Sequence, residues 1–229
     1  MKLIGAGSSC PSATLPPYHD RFRRQVSTTR LEAFSDGVFA VAITLLALDL
    51  VSFSARKGEL GSGLLHYWPH YATFAVTFLT IGIIWVNHHA QWQRIARVDR
   101  PLLFLNLLLL MLVVLIPFPT SLLARYLHGS DQHVAAAVYS GVLLAMGLAF
   151  FAAWFYTARH PSLLHVEIGS DELRVLIRRN IIGLLPYAAA FGLAFISAPA
   201  SLALCGLVAI YYMLPERLPE HPGAQPPLP

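Results

Sequence analysis

Long stretches of apolar residues are the feature that most constrains the fold of this sequence of 229 residues. Six stretches approach the ~20 apolar residues that a helix needs to cross the hydrocarbon core of a bilayer. They are residues 31–52, 70–88, 102–124, 134–157, 181–197 and 200–214. Charged residues make up 12% of the chain, about half of what a soluble domain carries. We therefore expect an all-α polytopic membrane protein with six transmembrane helices, the last two forming a tight hairpin through Ala198 and Pro199.

The basic residues are distributed unevenly among the segments that connect these stretches. Of the 16 Lys and Arg residues, thirteen fall in the two termini and in the second and fourth loops. Since cytoplasmic segments carry the excess of Lys and Arg, we expect both termini in the cytoplasm. The net charge is +4, and because the basic residues lie between apolar stretches, membrane topology explains them. We therefore expect membrane lipid around the protein and no nucleic-acid partner.

Polar segments flank and interrupt the apolar part of the chain. Residues 1–29 lack a continuous apolar stretch and are predicted to form a cytoplasmic tail, as is the Pro-rich segment 216–229; residues 30–215 form the predicted transmembrane domain. Ser170 is a favourable N-cap and two acidic residues follow it, which predicts a short amphipathic interfacial helix over residues 170–179. Cys10 lies in the tail and Cys205 in an apolar stretch, so no disulfide is expected between them.

The first apolar stretch has two distinct faces when it is placed on a helical wheel at about 100° per residue. One face is an apolar stripe that includes Phe34, Val41, Leu45 and Leu48. Thr44 lies at the edge of this stripe, whereas Ser35 and Asp36 point away from it. If the stripe faces a symmetry axis, the polar pair faces the interior of its own subunit. Asp49 is near the other end of the helix, where we expect it to reach the membrane interface.

The second and third stretches contain polar residues that can serve as partners for Asp36. These are Trp85, Asn87, His88, His89 and Asn106. A carboxylate inside a membrane protein needs hydrogen-bond donors, and the end of the second stretch lies at a similar depth. His88 and His89 are adjacent and point about 100° apart on a helix, which is unfavourable for binding one metal ion. We expect hydrogen-bonded structural histidines and no metal site.

Three motifs carry a resemblance to a known family. The first stretch begins with R-x-x-x-F-S-D at residues 30–36, W-x-N-H-H follows at residues 85–89, and P-F-P-T follows at residues 117–120. Together they resemble the prokaryotic members of the transmembrane protein 175 potassium channels, over roughly residues 30–215 of the chain.

This resemblance implies a potassium-selective leak channel that lacks the T-V-G-Y-G filter loop. It implies a homotetramer whose central pore is lined by the first helix of each subunit, in the plasma membrane of a prokaryote. No cofactor is implied, and K⁺ is the permeant ion. By resemblance, Val41, Leu45 and Leu48 form the apolar rings that constrict the pore, and Thr44 contributes to ion preference. Val41 departs from the larger Ile or Leu that relatives often carry.

The resemblance also gives roles to the polar residues of the motifs. Arg30, Phe34, Ser35 and Asp36 belong to the structural motif that holds the pore helix. The residues expected to support this motif are Trp85, Asn87, His88, His89 and Asn106.

Two other classes of function stay open on the residues alone. One is a proton-coupled secondary transporter, although the midpoint of the first helix is apolar and no inverted repeat is evident. The other is an intramembrane enzyme that uses Asp36 with His88 or His89 as acid and base.

Overall fold

A computed structural model describes residues 28–165 and 170–213, with the side chains of residues 170–177, 179 and 180 excepted. The predicted tails lie outside the described residues, apart from Thr28 and Thr29. Across the described ranges the chain is helical, as expected. The helices are α1 (Thr28–Val51), α2 (Leu60–His66), α3 (Trp68–Trp92), α4 (Arg100–Leu115), α5 (Pro117–Tyr126), α6 (Gln132–Arg159), α7 (Ser170–Ala194) and α8 (Ala198–Met213), with a 3₁₀ turn at Pro161–Leu163.

Four helical segments are long and apolar enough to cross a membrane. They are Thr28–Val51, Trp68–Trp92, Arg100–Tyr126 and Gln132–Arg159. These correspond to the first four predicted stretches. The fifth and sixth predicted stretches contain the shorter apolar helices Ile181–Ala194 and Ala198–Met213.

The third membrane segment is interrupted where α4 ends and α5 begins. Pro117 and Pro119 lie in the first turn of α5, where a helix needs no backbone donor and proline is tolerated. The same residues cannot continue α4, because each lacks the N–H that the preceding turn requires. At its other end, α4 is capped by Asp99, whose side chain accepts a hydrogen bond from the Leu102 backbone N–H at 3.1 Å.

The predicted short interfacial helix over residues 170–179 is wrong as a separate element. In the structure it is the first part of α7, which continues to Ala194 and contains Pro186. Residues 170–182 include no Gly or Pro, so nothing in the sequence ends the helix there. The predicted hairpin is present, because three residues connect α7 to α8 and Ser201 Oγ on α8 donates to Ala190 O on α7 at 2.8 Å.

The four membrane segments and the α7–α8 hairpin run alternately between two ends of the bundle, which we name by the residues of α1 found there. At the Ser35 end, Tyr156 on α6 donates to the Asp99 carboxylate at the start of α4. At the Asp49 end, His133 Nδ1 at the start of α6 lies 2.9 Å from Ala194 O at the end of α7. Helix α6 packs against α4, α5, α7 and α8, and α1 packs against α3, α4 and α5. Helix α1 therefore lies on one side of the bundle.

Candidate functional site

Helix α1 buries one face and leaves a second face largely exposed. The buried residues are Leu31, Ser35, Phe39, Ala42 and Leu46, which repeat at the three- and four-residue spacing of a single helix face. About 120° away lie the residues of the apolar stripe. Their exposed fractions are 53% for Phe34 and Val41, 38% for Leu45 and 61% for Leu48. Within the part of the chain that the structure describes, this row therefore stays largely uncovered.

Thr44 lies on the exposed side of α1, beside the stripe. Its hydroxyl donates to the backbone oxygen of Val41 at 2.8 Å, a bond that threonine often forms with the preceding turn of a helix. A hydroxyl that donates its hydrogen in this way keeps two lone pairs on its oxygen. The Thr44 oxygen is thus held as an electron-pair donor next to the apolar row.

The buried face of α1 is joined to α3 and α4 by a chain of polar side chains. Ser35 Oγ donates to Leu31 O at 2.9 Å and accepts from Asn106 Nδ2 at 3.2 Å. Asn106 Oδ1 lies 2.8 Å from His88 Nε2, and Trp92 Nε1 donates to the same nitrogen at 2.7 Å. Ser35, Asn106 and His88 are each at most 2% exposed. Three helices are therefore cross-linked at the Ser35 end by buried hydrogen bonds.

The His88 nitrogen at the centre of this chain has two competing partners. An indole N–H only donates, so Trp92 requires Nε2 of a neutral imidazole to accept. The Asn106 oxygen would instead require a proton on the same nitrogen. Since a ring nitrogen carries either one hydrogen or one lone pair, His88 Nε2 engages one of these two partners at a time. The ring of Phe39 packs against His88 with centroids 5.4 Å apart.

Asp36 has a hydrogen-bond partner of its own, which is not part of the buried series from Ser35 to Trp92. The Trp85 indole donates to Asp36 Oδ1 at 2.8 Å, and the Trp85 ring stacks on His89 with centroids 6.1 Å apart. His89 Nε2 also lies 2.9 Å from Gln93 Nε2. Asn87 is not part of either group, because its amide donates to Ile83 O of its own helix at 3.0 Å. Arg30 is exposed in the first turn of α1.

A second polar group, which the sequence did not predict, surrounds Asp49 at the other end of α1. Ser121 donates to Asp49 Oδ1 at 2.8 Å, Arg125 Nη2 lies 3.7 Å from the same oxygen, and His70 Nε2 lies 3.8 Å from Oδ2. The Asp49 side chain is only 19% exposed, whereas we expected it to reach the interface. The Tyr67 hydroxyl donates to the Asp49 backbone oxygen at 2.8 Å. Both ends of α1 are thus anchored to α3 and to the α4–α5 segment.

These contacts determine which chemistry the polar residues can carry out. Asp36 is hydrogen-bonded to Trp85, and His88 to Asn106 and Trp92, so the acid and base of the enzyme alternative are each engaged elsewhere. Among the described residues, no group of three or more His, Cys, Asp or Glu side chains could hold a metal ion. Cys205 is a buried free thiol. The arrangement holds a helix in place and leaves its apolar row uncovered.

Comparisons with known proteins give the family context of this geometry. Residues 30–117 match the family described as the endosomal/lysosomal potassium channel TMEM175. A potassium channel of Streptomyces collinus is 51% identical over 185 residues, which cover 80% of this chain and 90% of that protein. A potassium channel of Chamaesiphon minutus is 42% identical over 193 residues, covering 83% of this chain and 95% of that protein. The crystal structure of a lysosomal potassium-selective channel TMEM175 homolog from Chamaesiphon minutus has a TM-score of 0.71 at 41% identity, covering 81% of this chain and 96% of that one.

Proposed function

The chain belongs to the TMEM175 family, and on that premise we propose that it is a potassium channel that passes K⁺ passively down its gradient. The observation that carries the proposal is the exposed apolar row of α1, about 120° from a buried, hydrogen-bonded face. A helix that is anchored so strongly on one side has a fixed orientation. Its other face is then available to line a pathway shared between subunits. The relatives described above are named as potassium channels and not as enzymes.

The proposed channel is a homotetramer in which four copies of α1 surround a central pore. Val41, Leu45 and Leu48 are four and three residues apart, so their rings would be stacked along about 10 Å of the pore axis. A constriction of this kind closes by steric contact or by dewetting. Because an apolar ring offers no oxygen ligands, an ion passes only when the ring is wide enough for it to keep part of its hydration shell.

Potassium preference in the proposed pore arises from two modest effects. K⁺ releases water more easily than Na⁺ does, which favours K⁺ at any apolar constriction. The Thr44 oxygen, whose hydrogen is donated to Val41 O, is oriented to offer electron pairs to a partly dehydrated cation. Neither effect discriminates between the two ions as sharply as a filter of carbonyl oxygens does, so we expect moderate selectivity for K⁺ over Na⁺. The smaller side chain at Val41 would widen its ring and further weaken the selectivity.

The polar anchors of α1 have a structural role in this proposal. Ser35 and Asp36 hold the pore helix against its own subunit, whereas Arg30 and Phe34 of the same motif are exposed on its surface. Trp85, His88 and Asn106 supply the hydrogen bonds described above, and Asn87 and His89 complete the motif. The residues that orient α1 are therefore distinct from the residues that would contact the ion.

The proposed subunit has six membrane-crossing helices within residues 30–215. The apolar part of α7, Ile181–Ala194, has 14 residues, or about 21 Å at 1.5 Å per residue, and would cross a bilayer core of ~30 Å with local thinning of the bilayer. Helix α8 has 16 residues, or about 24 Å, and would cross with some local thinning of the bilayer. The distribution of Lys and Arg supports cytoplasmic tails at residues 1–29 and 216–229. The proposed location is the plasma membrane of a prokaryote.

Ion flux through the purified protein in liposomes tests the proposed function. We expect passive, non-saturating flux under a K⁺ gradient and smaller flux under a Na⁺ gradient. Leu45→Ala and Leu48→Ala should both increase the flux, because each removes apolar bulk from a ring. Leu148→Ala is the matched control, since Leu148 is a 48% exposed leucine on α6, and it should leave the flux unchanged.

The transporter alternative makes a different prediction in the same assay. Flux that saturates with K⁺ concentration and requires a proton gradient would favour a transporter. Absent flux, or flux equally sensitive to all three leucine variants, would contradict a pore lined by the apolar row of α1.

A further inference from the structure

The end of α1 at Asp49 adjoins the last ring of the proposed pore. Leu48 directly precedes Asp49, and α1 ends three residues after Leu48, at Val51. The last four carbonyl groups of a helix have no partner within the helix, and helix ends fray when nothing holds them. The position of the Leu48 side chain is therefore not fixed by α1 alone.

Two hydroxyl groups from other elements bind Asp49. Ser121 Oγ on α5 donates to the Asp49 carboxylate at 2.8 Å. The hydroxyl of Tyr67, the residue that connects α2 to α3, donates to the Asp49 backbone oxygen at 2.8 Å. Because two separate elements bind the side chain and the backbone of one residue, they fix both the rotation of α1 about its axis and the place of its last turn.

The Tyr67 ring is itself held in a defined position. It stacks on the His70 ring with centroids 3.7 Å apart and an angle of 2° between the planes. The Phe53 ring meets it edge-on, with centroids 5.1 Å apart. Ser52 Oγ adds a second hydrogen bond to the Asp49 backbone oxygen, at 2.6 Å. The hydroxyl that holds the end of α1 therefore belongs to a rigid aromatic group.

The charged neighbours of Asp49 contribute less to the orientation of α1. Arg125 Nη2 lies 3.7 Å and His70 Nε2 lies 3.8 Å from the carboxylate oxygens, which is longer than a hydrogen bond. The Arg125 side chain is 63% exposed, and exposed ion pairs contribute little to stability. The directional contacts of Asp49 with other elements are therefore the two hydroxyl groups.

A small rotation of α1 would move Leu48 far enough to matter to an ion. A helix with its side chains has a radius of about 5–6 Å, so a rotation of about 20° shifts the Leu48 side chain by about 2 Å. In the proposed pore, the width of the Leu48 ring decides how much of its hydration shell an ion must lose. At the Ser35 end, by contrast, Asp36 is five residues from Val41, the nearest ring residue.

We propose that Ser121 and Tyr67 are positioning residues, which act through Asp49 to orient Leu48 and so set the preference of the pore for K⁺ over Na⁺. Neither residue needs to touch the ion, because both hold α1 from the side of α3 and α5. The inference rests on the proposed function.

The ratio of K⁺ to Na⁺ permeability tests this proposal, measured from reversal potentials of the purified full chain in planar bilayers. Ser121→Ala and Tyr67→Phe each remove one hydroxyl group. Losing a hydrogen bond of the usual strength between membrane helices changes the ratio of two orientations about threefold. We therefore expect the permeability ratio to fall by about two- to threefold in each variant. Ser121→Thr keeps a hydroxyl at the same position and should have the wild-type ratio.

Asp49→Asn separates the effect of orientation from that of charge. Asparagine keeps a side-chain oxygen that accepts from Ser121, and the backbone oxygen still accepts from Tyr67, but the negative charge is removed. The permeability ratio of this variant should stay close to that of the wild type.

Ser140→Ala and Tyr139→Phe are the matched controls, one for each kind of substitution. The buried Ser140 hydroxyl donates to Ala136 O within α6. The buried Tyr139 hydroxyl lies 2.9 Å from Thr77 Oγ1 on α3. Both controls remove a hydroxyl that is bonded away from α1, so the permeability ratio should not change. Gel filtration reports the assembly of every variant, and either positioning variant alone is sufficient for the test.

Three outcomes would overturn the proposal. They are an unchanged ratio in the assembled Ser121→Ala and Tyr67→Phe channels, equal losses in the two controls, and a ratio in Asp49→Asn as low as that in Ser121→Ala. Each of these results leaves the proposed channel function in place. Absence of K⁺ current in the wild type would instead contradict that function, and this inference with it.

Discussion

The contact between α1 and α4 at Asn106 stabilises the fold, and its contribution to the free energy of unfolding can be worked out from the hydrogen bonds of Asn106. Asn106→Leu keeps the branching and the number of side-chain heavy atoms and removes both polar contacts, to Ser35 Oγ at 3.2 Å and to His88 Nε2 at 2.8 Å. Hydrogen bonds between membrane helices contribute about 0.6 kcal/mol on average and at most about 1.7 kcal/mol. His88 keeps Trp92 and Ser35 keeps Leu31 O, so no polar group is left unpaired. We expect the free energy of unfolding to fall by about 1–2 kcal/mol.

A double-mutant cycle isolates the contact between α1 and α4 from other effects of the substitution. Reversible unfolding in detergent is followed by circular dichroism for Ser35→Ala, Asn106→Leu and the double variant. The coupling energy between the two positions should be about 0.6 kcal/mol. Ser140→Ala is the control, because the buried Ser140 hydroxyl donates to Ala136 O within its own helix, and its coupling to Asn106→Leu should be close to zero.

A coupling between Ser35 and Asn106 no larger than that of the control cycle would contradict a stabilising hydrogen bond between α1 and α4. Unchanged stability of Asn106→Leu would contradict it as well. Assembled Asn106→Leu should still pass K⁺ in liposomes, because Asn106 is buried and does not reach the exposed row of α1. Loss of flux in a fully assembled variant would show that the anchor acts on permeation itself.

Three further substitutions test the packing of the bundle through its thermal stability in detergent. Tyr139→Phe removes the hydroxyl that lies 2.9 Å from Thr77 Oγ1 in a fully buried network, and should cost about 1 kcal/mol; an unchanged melting temperature would contradict this contact. Gly183→Ala places a methyl group against the Tyr212 hydroxyl and should cost about 1–3 kcal/mol. Gly192→Ala, in the same helix, meets nothing within 4 Å and should stabilise by up to about 1 kcal/mol, because alanine is the better helix former. Equal effects of the two glycine substitutions would contradict the packing described at Gly183.

Helix α1 shows what the sequence could and could not predict. Its length and the separation of its two faces follow from the spacing of apolar residues in one helix. A polar contact on its buried face was also evident, because Ser35 on α1, His88 on α3 and Asn106 on α4 all interrupt apolar stretches. Which of these atoms meet was not evident, since the contact from Ser35 to Asn106 joins residues 71 positions apart. Trp92 could have been predicted as a partner of His88, because it lies one turn later in the same helix. The W-x-N-H-H motif does not include it.

Two other elements show why the remaining features were missed. Asp49 looked like an interfacial residue because a wheel of α1 contains neither Ser121 nor His70, which approach it from α5 and α3. The helix over residues 170–194 was divided because its charged first half and apolar second half suggested two environments. Backbone hydrogen bonding does not follow that change of polarity, and the helix ends only near the residues that precede α8.

The central claim is that the exposed row of α1 lines the pathway of K⁺, and the accessibility of single cysteines tests it most directly. In a background carrying Cys10→Ser and Cys205→Ala, the current through Leu48→Cys and Leu46→Cys is measured before and after a water-soluble, charged thiol reagent. Leu48 is 61% exposed within the subunit and Leu46 is 3% exposed. A pore lined by the exposed row predicts that the reagent blocks the K⁺ current of Leu48→Cys and leaves that of Leu46→Cys unchanged. Block at Leu46→Cys without block at Leu48→Cys, or no effect at either position, would contradict it.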